Sequence, residues 1–559
     1  MLRLVLLLLL SSWLGACSSP HFLRLLPSTQ QALEANQLFA YQYAAMQQLS
    51  PQELSSHCME LALLPEKSAN RALRQLSCAA LWLPVTHNAD EKSQAVSLYN
   101  QSLNQLLLQL HPRKKLSRPA LRLELLPVVD ETGASMTDWW PTSLFSSDRS
   151  EYQPPTNGLG VSIVAARERS DRPEDLNYPP EGVYRSYTVL LDRMEFGEEQ
   201  QIKLFFRAYD EHQLKQQPEL GLRFDAAASY LWLMQHAKVM DFELSGLFSA
   251  ADSDERYGVF SVTPLSAHKI PILMIHGLNS SPVIWFELSL AILQNPALAE
   301  RYQIWHAFYP SGPPPFYNAM RMRKKTDELL ARLQQQQCSP ELQQMVIVGH
   351  SMGGIISKTF ILNSGYELWD RTFIKRPEQL GASAEQLNQI SDIFLFSARP
   401  YVDKVIFLDT PHGGSEMSGS LLGRLTSAFI TLPGNFLNMF RQLLDKIGIH
   451  QLTPQMQPYF ASGGPNSVQA LSPSHPLLQG LNQLPYQRPV YSIVGSDGAL
   501  YCFDTKSCSQ LSDGVVPYLS AHQPKAEQQL IVQSSHNSYR SPEALNFILK
   551  LLSSPSLTN

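Results

Sequence analysis

The stretch MVIVGHSMGGI, Met345 to Ile355, holds one serine, Ser351, with Gly349 and Gly353 two residues away on either side. An apolar run precedes the serine and a helical pattern follows it, so the segment predicts a strand, a tight turn and a helix. Glycines at such a strained turn avoid clashes with neighbouring backbone, and the serine oxygen is held at the carboxyl edge of a sheet. We therefore predict that Ser351 is a nucleophile; the alternative is a Gly/Ser turn without chemistry.

Strands and helices alternate from Lys269 onward. The predicted strands are Ile270–Ile275, Tyr302–Tyr309, Gln344–Val348, Lys404–Leu408, Val490–Val494 and Leu530–Gln533. The main predicted helices are Asn318–Gln336, Gly353–Leu362 and Pro542–Leu552. This alternation predicts an α/β fold with a doubly wound, mostly parallel sheet and helices on both faces.

Acyl transfer at a serine also requires hydrogen-bond donors for the negative charge that develops on the carbonyl oxygen. The first predicted donor is the backbone N–H of Met352, directly after the serine. The second is the N–H of Leu278 in HGLNSS, which follows the strand Ile270–Ile275. We interpret His276 of this segment as structural rather than as the catalytic base.

The catalytic base is predicted to be His536, which follows the last predicted strand and precedes the final helix. An imidazole there would accept the serine proton and return it to the leaving group. Three other histidines compete less well. They are His412 in DTPHGG, His475 in the segment before Pro489, and His522, which precedes the last strand.

The acid of the triad has three candidates. Asp513 lies in SDGVVP, where the chain turns sharply before an apolar pair, and it precedes His536 in the order that this chemistry requires. Asp497 directly follows a strand, and Asp409 follows an earlier one. We prefer Asp513, then Asp497, then Asp409.

Several motifs, taken together, carry a family resemblance. The segments HGLNSSP, FYPSG, GHSMGGI, FLDTPHGGS, SDGVVP and SSHNSY resemble the α/β-hydrolase superfamily, within it the branch of bacterial triacylglycerol lipases and inositol deacylases. The resemblance covers roughly residues 268–552 and implies a triad of Ser351, Asp513 and His536. It implies a serine carboxylic-ester hydrolase, of the lipase, esterase or phospholipase kind, which forms an acyl-enzyme and needs no cofactor. Acyltransfer by the same triad and a non-catalytic envelope scaffold remain alternatives.

The N-terminus, MLRLVLLLLLSSWLGACSS, has the features of a lipoprotein leader. Arg3 precedes the apolar run Leu4–Leu10, which is long enough for a signal peptide but too short to span a bilayer. Leu-Gly-Ala-Cys resembles a bacterial lipobox, so Cys17 is predicted to carry the lipid. Because Ser18 follows it, we expect the outer membrane rather than the inner one; the alternative is an ordinary signal peptide.

The chain divides by pattern into four regions. Residues 1–17 are the predicted signal peptide, 18–115 a helical region, 116–267 a strand-rich accessory region and 268–559 the catalytic domain. A helical cap or lid is predicted at about 413–488, because this insertion is apolar and amphipathic. We interpret the segment HPRKKLSRP, residues 111–119, as a solvated connector.

Export to an oxidising compartment predicts disulfides among the other cysteines. Cys502 and Cys508 flank a short loop, and Cys58 and Cys78 lie in one pair of helical segments, so each pair is a candidate. Cys338 is then the odd cysteine and is expected to be buried. No His/Cys cluster has metal-ligand spacing, so we predict no metal site.

Composition limits the partners. The 559 residues carry a formal net charge of -5, which gives no electrostatic reason to expect nucleic-acid binding. Past the N-terminus no run of about 18 apolar residues occurs, so no internal membrane helix is predicted. We expect an ester or lipid substrate and a membrane contact through the lipid anchor. The N-terminal half is a candidate binding region for a protein partner.

Overall fold

The computed structural model describes residues 24–25, 39–63, 69–118, 121–146, 152–196, 202–216, 221–236, 256–337, 339–415, 434–461, 466–502 and 504–554. The chain forms two compact units. The first comprises Met1–Arg169 and Glu181–Ala237, and the second comprises Ser170–Pro180 and Lys238–Asn559. The lipobox with Cys17, the odd Cys338, and residues 416–433 of the predicted cap lie outside the described residues.

Four helices of the first unit lie within the helical region predicted at residues 18–115. They are α1 (Phe39–Met46), α2 (Pro51–Leu63), α3 (Ala69–Trp82) and α4 (Ala89–Leu110). At the start of α4 the Asn88 side chain accepts a hydrogen bond from the Asp90 N–H at 2.9 Å, which satisfies one donor of the first helical turn. The sulfur atoms of Cys58 in α2 and Cys78 in α3 are 2.03 Å apart, at bonding distance.

The sheet of the first unit has six strands in the order β2-β3-β8-β7-β6-β4. Only β3 and β8 are parallel neighbours in it, and β1 pairs separately with β5. The strands are β1 (Arg24–Leu25), β2 (Lys115–Arg118), β3 (Leu121–Leu125), β4 (Asp138–Pro141), β5 (Phe145–Ser146), β6 (Val161–Arg167), β7 (Val183–Phe196) and β8 (Ile202–Tyr209). Two helices, α5 (Glu211–Lys215) and α6 (Ala226–His236), follow them.

The helices and the sheet of this unit share one hydrophobic core. Leu103 and Leu107 of α4 lie in the same buried cluster as Ile163 of β6 and Phe206 of β8. The helical pattern and the strand pattern, which we had assigned to separate regions, therefore bury their apolar faces in a single cluster.

The connector predicted at residues 111–119 is in part a strand. Lys115–Arg118 forms β2 and pairs antiparallel with β3. The Lys115 ammonium lies 2.8 Å from a carboxylate oxygen of Glu124, the residue directly opposite. The interpretation as a solvated connector was wrong because a charged edge strand and a solvated loop have similar compositions. The predicted boundary between residues 115 and 116 falls within this strand.

The second unit is built on a seven-stranded sheet with the order β15-β14-β13-β12-β10-β11-β9. Its strands are β9 (Gly258–Ser261), β10 (Ile270–Ile275), β11 (Tyr302–Phe308), β12 (Met345–His350), β13 (Val402–Leu408), β14 (Val490–Ser496) and β15 (Gln528–Gln533). All neighbours are parallel except the edge strand β9, which runs antiparallel to β11. Every residue of β10, β12, β13 and β14 is buried, which explains their continuous apolar runs. This unit is α/β, and β9 belongs to it although its residues lie in the predicted accessory region.

Helices alternate with these strands. They are α7 (Phe286–Gln294), α8 (Pro296–Arg301), α9 (Pro315–Gln336), α10 (Met352–Lys358), α11 (Glu367–Thr372), α12 (Ala384–Phe394), α13 (Gly434–Ile447), α14 (Gln457–Ala461), α15 (Ser467–Ala470), α16 (Pro476–Gln483), α17 (Thr505–Cys508), α18 (Tyr518–Ala521) and α19 (Pro542–Ser553). In the part of the chain with described coordinates, no helix has both the length and the apolarity to cross a bilayer.

The parallel strands bring the chemistry to one edge of the sheet. Because β10, β12, β13, β14 and β15 run in the same direction, the segments that follow their carboxyl ends meet there. These segments carry Gly277–Leu278, Ser351, Asp409, Asp497 and His536 in chain order.

Candidate active site

Ser351 lies at a strained turn between β12 and α10. Its φ is 54° and its ψ is -122°, values that a non-glycine residue adopts only under constraint. The constraint comes from close backbone packing, because a Cβ added at Gly353 would lie 2.1 Å from the carbonyl oxygen of Ile275. The Ser351 N–H donates to the Leu408 carbonyl at 2.8 Å, which extends the β13 pairing up to the serine.

A hydrogen-bonded chain joins the three side chains that we selected from the sequence. The Ser351 hydroxyl oxygen lies 2.9 Å from Nε2 of His536, and Nδ1 of His536 lies 2.6 Å from a carboxylate oxygen of Asp513. The Asp513 side chain is 1% exposed and that of His536 is 18% exposed. The serine and the carboxylate thus contact opposite nitrogens of one imidazole, as general-base activation of a hydroxyl requires.

The turn after Asp513 fixes the direction of its carboxylate. One oxygen accepts hydrogen bonds from the N–H groups of Val515 at 2.8 Å and Val516 at 2.6 Å. Gly514 adopts a φ of +86°, in the left-handed region that favours glycine. The other oxygen is therefore the one that contacts His536.

Opposing effects act on the pKa of His536. Burial of the imidazole lowers this pKa, but the hydrogen bond and the charge of Asp513 raise it, and the charge of Asp409 raises it further. The net direction is upward from the ordinary value of 6.5. Both carboxylates thus favour the protonated imidazole over the neutral one.

Asp409 and Asp497, the two other acid candidates, have different surroundings. The Asp409 carboxylate accepts hydrogen bonds from the N–H groups of Gly495 at 2.7 Å and Ser538 at 2.9 Å. It therefore ties the end of β14 to the segment that follows His536. Asp497 is exposed, and no contact joins it to His536 in the described structure.

A second buried histidine, His350, lies beside Asp409 and the triad. The Nε2 atom of His350 lies 3.7 Å from Asp409, and its ring centroid lies 4.9 Å from that of His536. Burial lowers the pKa of His350, so its imidazole is neutral near neutral pH. The sequence did not predict that His350 lies beside the triad or that Asp409 joins two segments of the site. The one available signal was the position of His350 directly before Ser351.

The ligand atoms of His350, Asp409 and His536 lie within 4.8 Å of one another, a spacing that a metal ion could use. Each of the His536 nitrogens already faces a triad partner, and each Asp409 oxygen accepts a backbone N–H. The donor set therefore fits a hydrogen-bonded network better than a metal centre.

The other histidines do not join the triad. His276 is fully buried and stacks on Tyr309, and burial lowers its pKa to about 4. His412 is buried against the Phe407 ring, which likewise lowers its pKa. His475 precedes the first turn of α16, and His522 lies 3.1 Å from Gln529, at the opposite end of β15 from His536.

The two predicted oxyanion donors follow the carboxyl ends of β10 and β12. Met352 is the first residue of α10, and backbone N–H groups in the first turn of a helix have no acceptor within that helix. Neither this N–H nor that of Leu278 has an acceptor among the residues that the structure describes. Gly277 packs closely against the nucleophile, because a Cβ there would lie 2.9 Å from the Cβ of Ser351.

A short disulfide loop precedes Asp513. The sulfur atoms of Cys502 and Cys508 are 1.97 Å apart, at bonding distance. Both cysteines pack against a small apolar cluster that includes Leu511 and Val516. This cluster anchors the segment that carries the carboxylate.

Comparisons with known proteins give distant structural matches. No protein-family model and no curated protein sequence matches the chain. Among solved structures, the mature lipase BlEst2 of Bacillus licheniformis is 17% identical, with 53% of this chain and 98% of that chain covered and a TM-score of 0.31. Lipase 1 of Pelosinus fermentans is 14% identical, with 52% and 100% covered and a TM-score of 0.31. Phospholipase PlaB of Legionella pneumophila is 15% identical, with 52% and 60% covered and a TM-score of 0.30. Because the TM-scores are this low, the matches establish neither the fold nor the activity of this chain.

Proposed function

We propose that this chain is a serine carboxylic-ester hydrolase of the α/β-hydrolase type, with a doubly wound sheet and a helical cap over the site. The observation that carries the proposal is the hydrogen-bonded chain from Ser351 through His536 to Asp513. The strained backbone at Ser351 supports it, because such strain is typical of nucleophile turns.

In the proposed reaction the Ser351 oxygen attacks the ester carbonyl while Nε2 of His536 takes the hydroxyl proton. The N–H groups of Leu278 and Met352 stabilise the negative oxygen of the tetrahedral intermediate. His536 then donates its proton to the leaving alcohol, which departs and leaves an acyl-serine. Water, deprotonated by the same imidazole, attacks the acyl-serine. The imidazolium then returns that proton to the Ser351 oxygen as its bond to the acyl carbon breaks and the carboxylic acid is released.

We further propose that the protein is held at the bacterial envelope, at the outer membrane, by a lipid on Cys17. The substrate is then an ester or a lipid, and the first unit offers a surface for a protein partner. The lipobox-like sequence that ends at Cys17 supports the anchor, and the hydrogen-bonded chain from Ser351 to Asp513 supports an ester substrate.

The direct test is hydrolysis of a series of p-nitrophenyl esters, from acetate to palmitate, and of phosphatidylcholine vesicles. Wild type should hydrolyse at least one ester class, and Ser351→Ala should lower kcat by about 10⁴-fold or more. Ser289→Ala is a matched control, because Ser289 is another buried serine, 3.1 Å from Nε2 of His306. Wild-type rates equal to those of Ser351→Ala would contradict the proposal.

Product analysis with added alcohol separates hydrolysis from acyltransfer. Free acid as the main product supports the hydrolase, and an ester of the added alcohol formed in preference to acid supports the transferase.

A further inference from the structure

The segment after β11 contacts the loop that carries the proposed oxyanion donor. β10 and β11 are parallel neighbours, with Ile275 opposite Ala307, so their carboxyl ends lie side by side. Tyr309, the residue after β11, is 2% exposed. Its hydroxyl donates a hydrogen bond to the carbonyl oxygen of His276 at 2.5 Å, and its ring stacks on the His276 imidazole with centroids 4.3 Å apart.

A second contact lies on the other side of the donor. The Ser311 hydroxyl oxygen accepts a hydrogen bond from the N–H of Asn279 at 3.1 Å, and Ser311 is 4% exposed. Asn279 has a φ of 50°, in the left-handed region where asparagine is enriched over most other non-glycine residues. The backbone is therefore held one residue after Leu278 by Ser311, and two residues before it by Tyr309.

These two contacts limit the rotation of the peptide between Gly277 and Leu278. That peptide plane determines where the Leu278 N–H points, and an oxyanion donor is effective only when its direction is set before the reaction. Gly277 lacks a side chain that could fix the loop by itself, and its close approach to Ser351 excludes one. The fixing groups must therefore come from outside the loop.

We propose that the hydroxyl groups of Tyr309 and Ser311 are positioning groups that orient the Leu278 N–H for the oxyanion. This inference rests on the proposed ester hydrolysis and adds two residues to its machinery. Tyr309 and Ser311 act through the backbone of the loop and do not contact the substrate.

The test compares two tyrosines that flank the same strand. Tyr302 begins β11, is 2% exposed and donates its hydroxyl to the Leu552 carbonyl at 2.8 Å. Tyr302→Phe and Tyr309→Phe each remove one buried hydroxyl bonded to a backbone carbonyl, so both should lower the urea midpoint of unfolding to a similar extent. Tyr309→Phe alone should affect catalysis.

The expected result is a split between transition-state and ground-state binding. In Tyr309→Phe and in Ser311→Ala, kcat/KM per fluorophosphonate-titrated site should fall about tenfold, a part of what loss of a whole donor costs. The inhibition constant of an alkyl trifluoromethyl ketone, which forms a tetrahedral adduct with the serine, should rise by the same factor. The inhibition constant of the matching carboxamide should change less than twofold.

Equal kcat/KM in Tyr309→Phe and Tyr302→Phe would overturn the inference, as would equal weakening of the ketone and the carboxamide. Failure of the proposed function looks different, because wild type itself would then show neither hydrolysis nor fluorophosphonate labelling.

Discussion

At the scale of single residues, the proposed chemistry depends on which form of His536 is present. Only the neutral imidazole can accept the Ser351 proton, and the cation must be stable once it forms. Asp513 and Asp409 raise the pKa of His536 against the effect of burial. The site therefore favours proton transfer from serine, at the cost of activity in acid.

The pH profile follows from that direction. We expect wild-type kcat/KM to rise with pH and to reach half its plateau above pH 6.5, because the His536 pKa is raised from that value. In Asp513→Asn the midpoint should fall, since burial lowers the pKa of the imidazole and the hydrogen bond and charge of Asp513 no longer oppose it. Initial rates across pH on one ester, corrected for spontaneous hydrolysis, measure both midpoints. A wild-type midpoint below 6.5 would contradict the electrostatic account.

The choice of acid is tested by removing each carboxylate in turn. Asp513→Asn should lower kcat by about 10⁴-fold, the order of magnitude known for loss of a triad carboxylate. Asp497→Asn changes an exposed residue at the same sheet edge and should stay within twofold of wild type. Comparable losses in both variants would mean that the acid is not Asp513 alone.

The sequence ranked three aspartates by local context and placed Asp513 first, but local context alone could not show which carboxylate contacts His536. Each of the three follows a strand or a turn near the same edge. Their difference lies in long-range geometry: Asp513 contacts an imidazole 23 positions later, whereas Asp409 contacts backbone N–H groups 86 and 129 positions later. Local patterns carry no information about such pairings.

At the scale of elements, the strained turn at Ser351 between β12 and α10, here called the elbow, depends on how closely α10 approaches β10. Gly353 lies in the first turn of α10, where alanine would ordinarily favour the helix by about 1 kcal/mol. A Cβ there would meet two backbone carbonyl oxygens, of Ile275 at 2.1 Å and of His276 at 2.4 Å. Backbone cannot move aside as a flexible side chain can, so the clash outweighs helix propensity.

Gly353→Ala should therefore destabilise the second unit by about 1–3 kcal/mol or more. Urea unfolding monitored by tryptophan fluorescence gives the free-energy difference. Gly498→Ala is the matched control, because a Cβ at Gly498 has no neighbour within 4 Å, and it should stay within about 0.5 kcal/mol of wild type. Equal stability of the two variants would contradict the close packing described for the elbow.

Asp409 links two elements, the end of β14 and the segment after His536. In Asp409→Asn one carboxylate oxygen is replaced by an NH₂ group. This group would face the N–H of either Gly495 or Ser538, and neither can accept a hydrogen bond from it. Because a buried donor would then lack its acceptor, unfolding free energy should fall by about 1–3 kcal/mol. The kcat of Asp409→Asn should also fall, because the hydrogen bond to the Ser538 N–H positions the segment that carries His536. Chemical denaturation of Asp409→Asn and of the control variant Asp497→Asn measures the difference in unfolding free energy. Equal stability of the two variants would refute the linking role of Asp409.

The sequence predicted most strands and helices of the second unit, because buried parallel strands and amphipathic helices have strong local patterns. β10 has the predicted bounds, β12 begins one residue and ends two residues later than predicted, and β13 begins two residues earlier. β9 was missed as a member of this sheet. It is a four-residue antiparallel edge strand, and nothing in so short a stretch identifies its partner.

At the scale of the whole molecule, local patterns indicated which residues are buried but not what they are buried against. The helices before residue 111 and the strands after it have clear periodicities, yet their shared core is set by contacts far apart in the sequence. For the same reason the sequence suggested two N-terminal regions. The division of the chain into a signal peptide and three regions stays a prediction.

The proposed envelope anchor is also a property of the whole chain. In a bacterial host fed an alkyne-tagged fatty acid, the full-length protein should be labelled and should enter the detergent phase. Cys17→Ser should lose both properties, because each buried CH₂ of the acyl chains contributes about 0.8 kcal/mol to membrane binding. Persistent labelling of Cys17→Ser would show that the lipid is attached to another residue.

The most direct test of the central claim is to locate the covalent adduct that a fluorophosphonate forms with the purified protein. Peptide mass spectrometry should place a single adduct on Ser351 in wild type. Labelling should disappear in Ser351→Ala and slow strongly in His536→Ala, whereas Ser289→Ala should label like wild type. A wild-type protein that is folded but unlabelled, or labelling that persists in Ser351→Ala, would contradict the account.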